Sequence, residues 1–406
     1  MVEVWLPYGS SEVAVRVPEE TLIDILKPQA NTENADPVAE VTRLVSSNSE
    51  FQTKVKSGER ICVAVGSSRN KQLLGQSANS LLAELKKLDV QPDRITVLLT
   101  SDSTLLETEF ETGLSVIRHS AKSQTTPISG FESDFTPTIN SLLVDAPVRV
   151  VLGELRPNSV LEFSGLPDLI FPGLGSVTSI HQEVSGRKPL TPVDVHKERL
   201  EIALQLPDLF ALGYVLNEDR SLARITFEPF RSCIDQLEGV IREYCTRSVE
   251  KAADIVIMSA GGTPTDETLL RAIENFPNAL SVLKRNGALI VAAECSSGPG
   301  NGEFYAWSAE KKEARYLEAR LRHTFSFNGW KAAYLARAVQ NHRVYLISTI
   351  PDHHVDNVFG LRPAKTVNAA LLSAQRALGN DSQISVIPDP TSVIANLKVP
   401  EKLPNA

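Results

Sequence analysis

The chain has 406 residues, 42% hydrophobic, 22% charged and 6% aromatic, with 41 basic against 49 acidic side chains and a formal charge of −8. One hydrophobic core stops growing at roughly 250–300 residues, so two domains are expected, and the composition is that of an ordinary soluble globular protein and not a disordered one. An acidic balance without a Lys/Arg-rich run argues against nucleic acid as a partner, and apolar runs far shorter than the ~20 residues of a bilayer span argue against a membrane segment.

The first residues, MVEVWLPYGS, lack the basic-then-apolar layout of a signal peptide, so a cytoplasmic location is expected. Residues 2–9 and 12–18 alternate apolar and polar side chains around a Gly-Ser turn, which predicts a β-hairpin acting as a capping sheet. From about residue 60 buried strands alternate with helical stretches: 61-ICVAVG-66, the helix 70-NKQLLGQSANSLLAELKKL-88, then 94-RITVLLT-100. Such alternation predicts βαβ units in a parallel sheet. In the helix, Leu73, Leu74, Leu81, Leu82, Leu85 and Leu88 follow the 3.6-residue period, and Lys86 and Lys87 sit at its C-terminal end.

Further strands are expected at 148-VRVVLGE-154, 224-RITF-227 and 254-DIVIMSA-260, with a helix over 193–206. A second βα series follows: helix 266–276, strand 287–294, charged helix 309–323, strand 342–349, helix 365–379 and a last strand 383–389, before a tail at 396–406 that reads as frayed. The predicted fold is α/β, two domains with mainly parallel sheets flanked by helices and a ligand cleft between domains. The cut falls near residue 250, giving domains 1–250 and 251–406. Cys62, Cys233, Cys245 and Cys295 are too scattered for a metal or redox motif and read as reduced core thiols.

Ligands of open α/β sheets bind beyond the strand C-termini. The turns of interest are therefore 66-GSSRN-70, 100-TSDST-104, 153-GELRPNS-159, 260-AGGTPTDE-267 and 294-ECSSGPGNGEF-304. Together with 163-FSG-165 ahead of 172-PG-173, 196-HKE-198, 298-GPGNGEFY-305 and 386-VIPD-389, they run in an order that resembles the nickel-dependent lactate racemase family. The match is collinear along most of the chain. The resemblance implies a 2-hydroxy-acid racemase or epimerase, an isomerase, whose nickel-pincer nucleotide derives from nicotinic acid.

The chemistry implied by that resemblance is poorly preserved. Where the family attaches its cofactor through a lysine, in a loop reading like F-S-G-G-x-K, this chain has Asp168, which cannot form the linkage. A nickel-pincer nucleotide is compatible with it only if held without a covalent bond, and the cofactor is otherwise not assigned. The two histidines that serve the family as alternate bases correspond to Ser103 and Asn158. Neither an unassisted serine nor an asparagine removes a proton near neutral pH, as imidazole does. Of an Asp/Arg substrate pair the aspartate becomes Gly66 and only the cation, Arg69, survives; the family's lysine-bearing helix after the GGTPTD turn carries Arg271 and Glu274 instead, which leaves Arg271 as a second candidate for the substrate carboxylate. Val184 takes the place of the nickel-binding histidine, with His181 one turn away as a substitute metal ligand.

Each singled-out residue also has a plainer reading. Arg69 either clamps a substrate carboxylate or makes a surface salt bridge. His181 is a ligand only if other donors converge on it, and otherwise a helix-surface histidine. Asp168 is a metal-ligating or basic carboxylate, or a helix-capping aspartate after Pro167. His196 most simply starts a helix; His353 and His354 are loop residues; Asp266 or Thr263 caps the helix that follows. The Gly-rich 298–305 stretch could bring backbone N–H groups to a phosphate or carboxylate but does not fit a dinucleotide fingerprint. The sequence is thus read as a lactate racemase-like protein of divergent or lost activity, or a degenerate binder of a small anionic or hydroxy-acid ligand.

Overall fold

The structure, a computed structural model, describes residues 1–29, 36–55, 59–131, 135–158, 161–185, 192–310, 313–324 and 326–398. The expected tail lies mostly outside these residues. The chain divides into two compact units, one made of Met1–Pro28 with Cys245–Ala406 and the other of Gln29–Tyr244. This corrects the expected domain 1–250: the break near residue 250 appears at Tyr244, but the first 28 residues belong with the C-terminal half.

The reason is strand pairing. The hairpin strands β1 (Val2–Tyr8) and β2 (Ser11–Val17) pair in antiparallel register, and β3 (Leu22–Ile25) pairs in parallel with the last strand of the C-terminal half. Val4, Leu6, Val15 and Val17 share one core with Ile255, Ile257, Ile290 and Val386, so the hairpin covers one face of that unit's sheet.

The inserted unit contains β4 (Ile61–Val65), β5 (Ile95–Leu99), β6 (Ser115–Arg118), β7 (Val148–Glu154), the short ribbon β8 (Arg156–Asn158) and β9 (Glu162–Ser164), then β10 (Leu209–Leu216) and β11 (Leu222–Pro229). Its six-stranded sheet runs β11-β10-β7-β4-β5-β6, parallel except for the β10/β11 edge pair. Strand β4 is buried at all five positions and β7 at all seven, as a sheet covered on both faces requires. Helix α1 (Pro37–Ser47) and helix α2 (Ser49–Val55) share a core with α3 (Lys71–Lys87), where Leu73, Leu74, Leu81, Leu82 and Leu85 are buried as expected. Asn70 caps α3 by accepting from Leu73 N–H at 2.9 Å.

The sheet of the other unit continues with β12 (Ala253–Ser259), β13 (Leu283–Ala292), β14 (Arg343–Ile347), β15 (Arg362–Pro363) and β16 (Ile384–Ile387). The order is β15-β14-β13-β12-β16-β3, parallel throughout. The single helix expected over 266–276 is broken into short pieces, beginning with Leu269–Ala272. Thr268, not Asp266 or Thr263, caps that first piece, through Arg271 N–H at 3.3 Å. Asp266 is fully buried and accepts instead from Gly9 N–H at 2.7 Å and Glu294 N–H at 3.1 Å, which takes it out of the helix.

All four cysteines are buried free thiols. Among the described residues no helix is long and apolar enough to cross a membrane.

One buried histidine gives this fold a pH dependence. His119, after β6, has its Nε2 3.1 Å from the Gly175 carbonyl and its Nδ1 3.0 Å from the Asn140 side-chain amide. Asn140 Oδ1 already accepts from Leu142 N–H, so its NH2 must face the imidazole, and only the neutral ring with its proton on Nε2 satisfies both contacts. Burial lowers the His119 pKa, with the Gly175 hydrogen bond opposing. Below the unfolded value of about 6.5 the unfolded chain binds a proton that the native site resists, so stability present above that pH is lost as pH falls through it. Thermal unfolding across pH 5–8 should therefore show a steeper acid-side loss for the native protein than for His119→Gln; identical slopes would rule this out.

Candidate functional site

In the inserted unit the chain runs outward from β4 to β5 and β6, then returns to place β7 on the other side of β4. The C-termini of β4 and β7 therefore flank a topological switch point, where open α/β sheets form their ligand crevice. The turn after β4 is 66-GSSRN-70, and β7 ends at Glu154.

These two ends are bound to each other. Arg69 Nε donates to Glu154 Oε1 at 2.6 Å, while Arg69 N–H and Ser68 Oγ donate to Oε2 at 2.9 and 3.2 Å. The side chains of Arg69 and Glu154 are only 4% and 2% exposed. Tyr214 on β10 is fully buried, and burial, with the Glu154 carboxylate near it, pushes its phenol pKa well above the ordinary value. The surface-pair reading of Arg69 is corrected here: the pair it makes is buried. Its Nε and backbone N–H hold an interior carboxylate, so its charge is balanced within the fold.

The turn after β5 carries Ser103. Its Oγ donates to the Gly66 carbonyl at 2.9 Å, and Arg118 braces the loop by donating to the carbonyls of Thr100, Ser103 and Leu105. The serine hydroxyl thus spends its proton on a backbone acceptor, while the neighbouring Asp102 accepts from Ser67 Oγ at 3.1 Å. Ser103 therefore touches the turn that carries Arg69, through the Gly66 carbonyl.

Asn158 lies on the ribbon, paired with Glu162, and its Oδ1 accepts from Leu161 N–H at 2.9 Å. The ribbon leads into 163-FSG-165. Gly165 has φ +136°, and a Cβ there would strike the Glu154 carbonyl, so glycine is required where the loop crosses the end of β7. Asp168 follows in the short helix Leu166–Ile170. Its Oδ2 accepts from Gly165 N–H at 2.7 Å, in the manner of a capping box, and its Oδ1 pairs with Arg199 Nη1. Both oxygens are engaged, which matches the capping reading of Asp168. Arg199, on the helix Pro192–Leu204, also bonds Glu183 at 3.4 Å. Burial works against the Arg199 charge, but the two carboxylates outweigh it and raise its pKa.

His181 is exposed on the helix Val177–Ser185; the side chain of Val184 lies outside the described residues. Among the described residues no group of three or more His, Cys, Asp or Glu side chains is placed to hold a metal ion. His196 is buried against Phe163, ring centroids 4.3 Å apart, with Nε2 3.7 Å from Glu238, so it packs the FSG loop in addition to lying on a helix. Arg271 belongs to the other unit, where its Nη1 donates to Glu267 at 2.9 Å and to the Pro264 carbonyl in an exposed pair. His353 and His354 lie on a short helix, Asp352–Asn357, and not on an extended loop; His354 Nδ1 is 2.9 Å from Tyr305 Oη.

The sequence reading missed Glu154, Tyr214, Arg118 and Arg199. Glu154 had a signal: a carboxylate ending the largely apolar strand VRVVLGE needs a cation, and the turn after β4 holds Arg69. Arg199 had none, since its partners are 16 and 31 residues away on other elements.

Two family models match the chain: Lactate racemase N-terminal domain over residues 8–186 and Lactate racemase C-terminal domain over residues 249–395. A lactate racemase of Thermoanaerobacterium thermosaccharolyticum is 26% identical over 98% of this chain and 100% of its own length. That of Lactiplantibacillus plantarum is 24% identical over 63% of each chain. The lactate racemase apoprotein structure from T. thermosaccharolyticum superposes with a TM-score of 0.84 at 24% identity, covering 97% of this chain and 100% of that one. A Thermotoga maritima protein superposes at 0.62 with 14% identity, covering 91% and 100%.

Removing one partner of a buried pair strands the other charge. Glu154→Ala should therefore cost about 3–5 kcal/mol in urea unfolding, while the double replacement Arg69→Met, Glu154→Leu recovers most of it. Equal losses in the single and double variants would show that the pair is not what holds the turn.

Proposed function

Because the chain belongs to the lactate racemase family, we propose that it binds a small 2-hydroxy carboxylate but does not interconvert its enantiomers by the family's two-base route. The observation that carries this reading is Asp168. At the position the resemblance gives to the cofactor-bearing lysine stands a carboxylate with no amine to acylate, and both its oxygens are held by Gly165 N–H and Arg199. The residues present do not fit a covalently tethered nickel-pincer nucleotide.

The proposed base positions support the same reading. A general base must accept a proton near neutral pH. Ser103 donates its hydroxyl hydrogen to the Gly66 carbonyl, and an asparagine amide such as Asn158 has no protonation equilibrium in that range. What the family architecture retains is the switch point between β4 and β7, the place where open α/β sheets take their ligands.

The test is expression with nickel and the enzymes that build the pincer nucleotide, followed by intact-mass measurement and incubation of each lactate enantiomer in D2O. The expected outcome is an unmodified mass, no deuterium at C2 and no change of enantiomer. A nucleotide-sized mass increase together with racemisation would overturn the proposal.

A further inference from the structure

Arg69 spends its Nε and backbone N–H on Glu154, which turns attention to the other cations that could meet a ligand's carboxylate. Among the described residues, the arginines on or beside the elements around the C-terminal end of the inserted unit's sheet include Arg69, Arg118, Arg156, Arg199 and Arg220, whose carbonyl accepts from Asn70. Arg69 is paired with Glu154, Arg118 with Glu107 and three carbonyls, and Arg199 with Asp168 and Glu183. Arg156 differs. Its Nε donates to Ser164 Oγ at 3.3 Å, and among the described residues no carboxylate pairs with it.

The position of Arg156 is set by the ribbon. It opens β8 opposite Ser164 and is half-buried, whereas Pro157 is buried and Asn158 half-buried again. Side chains two apart on a strand share a face, so Arg156 and Asn158 project to the same side. The Ser164 hydroxyl takes the Nε donor, and among the described residues no hydrogen bond uses the Nη1/Nη2 edge, the planar two-donor fork that matches a carboxylate.

We propose that Arg156 is the carboxylate-binding residue of this chain, in place of Arg69. This rests on the reading that the protein binds a 2-hydroxy carboxylate and names the group that selects for it. It makes the ligand class an anion with a planar carboxylate, discriminated from its neutral amide.

The test is calorimetric titration of the full chain with sodium L-lactate, sodium D-lactate and neutral lactamide. The native protein should bind at least one lactate enantiomer and not lactamide. Loss of a charge-assisted bond should weaken lactate binding about 10- to 100-fold in Arg156→Gln, and Arg156→Lys, which keeps the charge but not the fork, should fall between. Arg43→Gln, at an exposed pair with Glu40, is the surface control and should bind as the native protein does. Unchanged thermal melting of Arg156→Gln separates lost binding from lost folding. If Arg156→Gln binds lactate as tightly as the native protein, the assignment of Arg156 is wrong although the binding reading stands. If the native protein binds neither enantiomer, the binding reading fails and this assignment with it.

Discussion

The inserted unit is organised around one carboxylate. Glu154 ends β7 inside the sheet and gathers the Arg69 guanidinium, the Arg69 amide and the Ser68 hydroxyl from the turn after β4. An ion pair this deep is not primarily a source of stability, since desolvating both charges offsets much of their attraction. Its effect is geometric. It fixes how the 66–70 turn leaves β4, hence where Asn70 starts α3, and it brings the ends of the two switch-point strands to a single arrangement. Gly165 crosses the same strand end, so the loop bearing Asp168 is referenced to Glu154 as well.

The other unit uses the same device without a cation. Asp266 is fully buried beyond β12 and gathers backbone N–H groups from the N-terminal hairpin at Gly9 and from the end of β13 at Glu294. Nearby Tyr8 responds to this environment: burial first, then the Glu294 carboxylate, Cys295 and the Asp266 carboxylate beside it, push its pKa up to about 12. In each unit, then, a carboxylate that sequence reading would place in a ligand site or a helix cap serves to set loop geometry. Charged groups in such turns are therefore poor indicators of chemistry until their partners are known.

The strands at 61–66, 94–100, 148–154, 254–260 and 287–294 were legible because a parallel strand covered on both faces is a short unbroken apolar run, and α3 because its leucines keep the helical period. Strand β10, LFALGYVL, has the same apolar character and went unread, as did the helices Gly302–Ala309 and Phe327–Asn341. Phe327–Asn341 buries only small residues and Leu335 along an alanine-rich face, which leaves little periodic contrast. Of the site, the turns were legible and the roles were not. Arg69, Asp168 and Arg271 each have carboxylate, amide or cation partners whose proximity depends on tertiary pairing, and no spacing rule places Glu154 against Arg69 or Arg199 against Asp168.

The discontinuous unit has a consequence for the order of assembly. Its N-terminal 28 residues are synthesised first, yet β3 pairs with β16 and Gly9 donates to Asp266, 257 residues later. The inserted unit leaves the ribosome as one continuous segment and can complete its own sheet while the hairpin ahead of it still lacks a partner. Closure of the split unit must wait for the last strand, so the exposed apolar face of the hairpin is the vulnerable surface of the nascent chain.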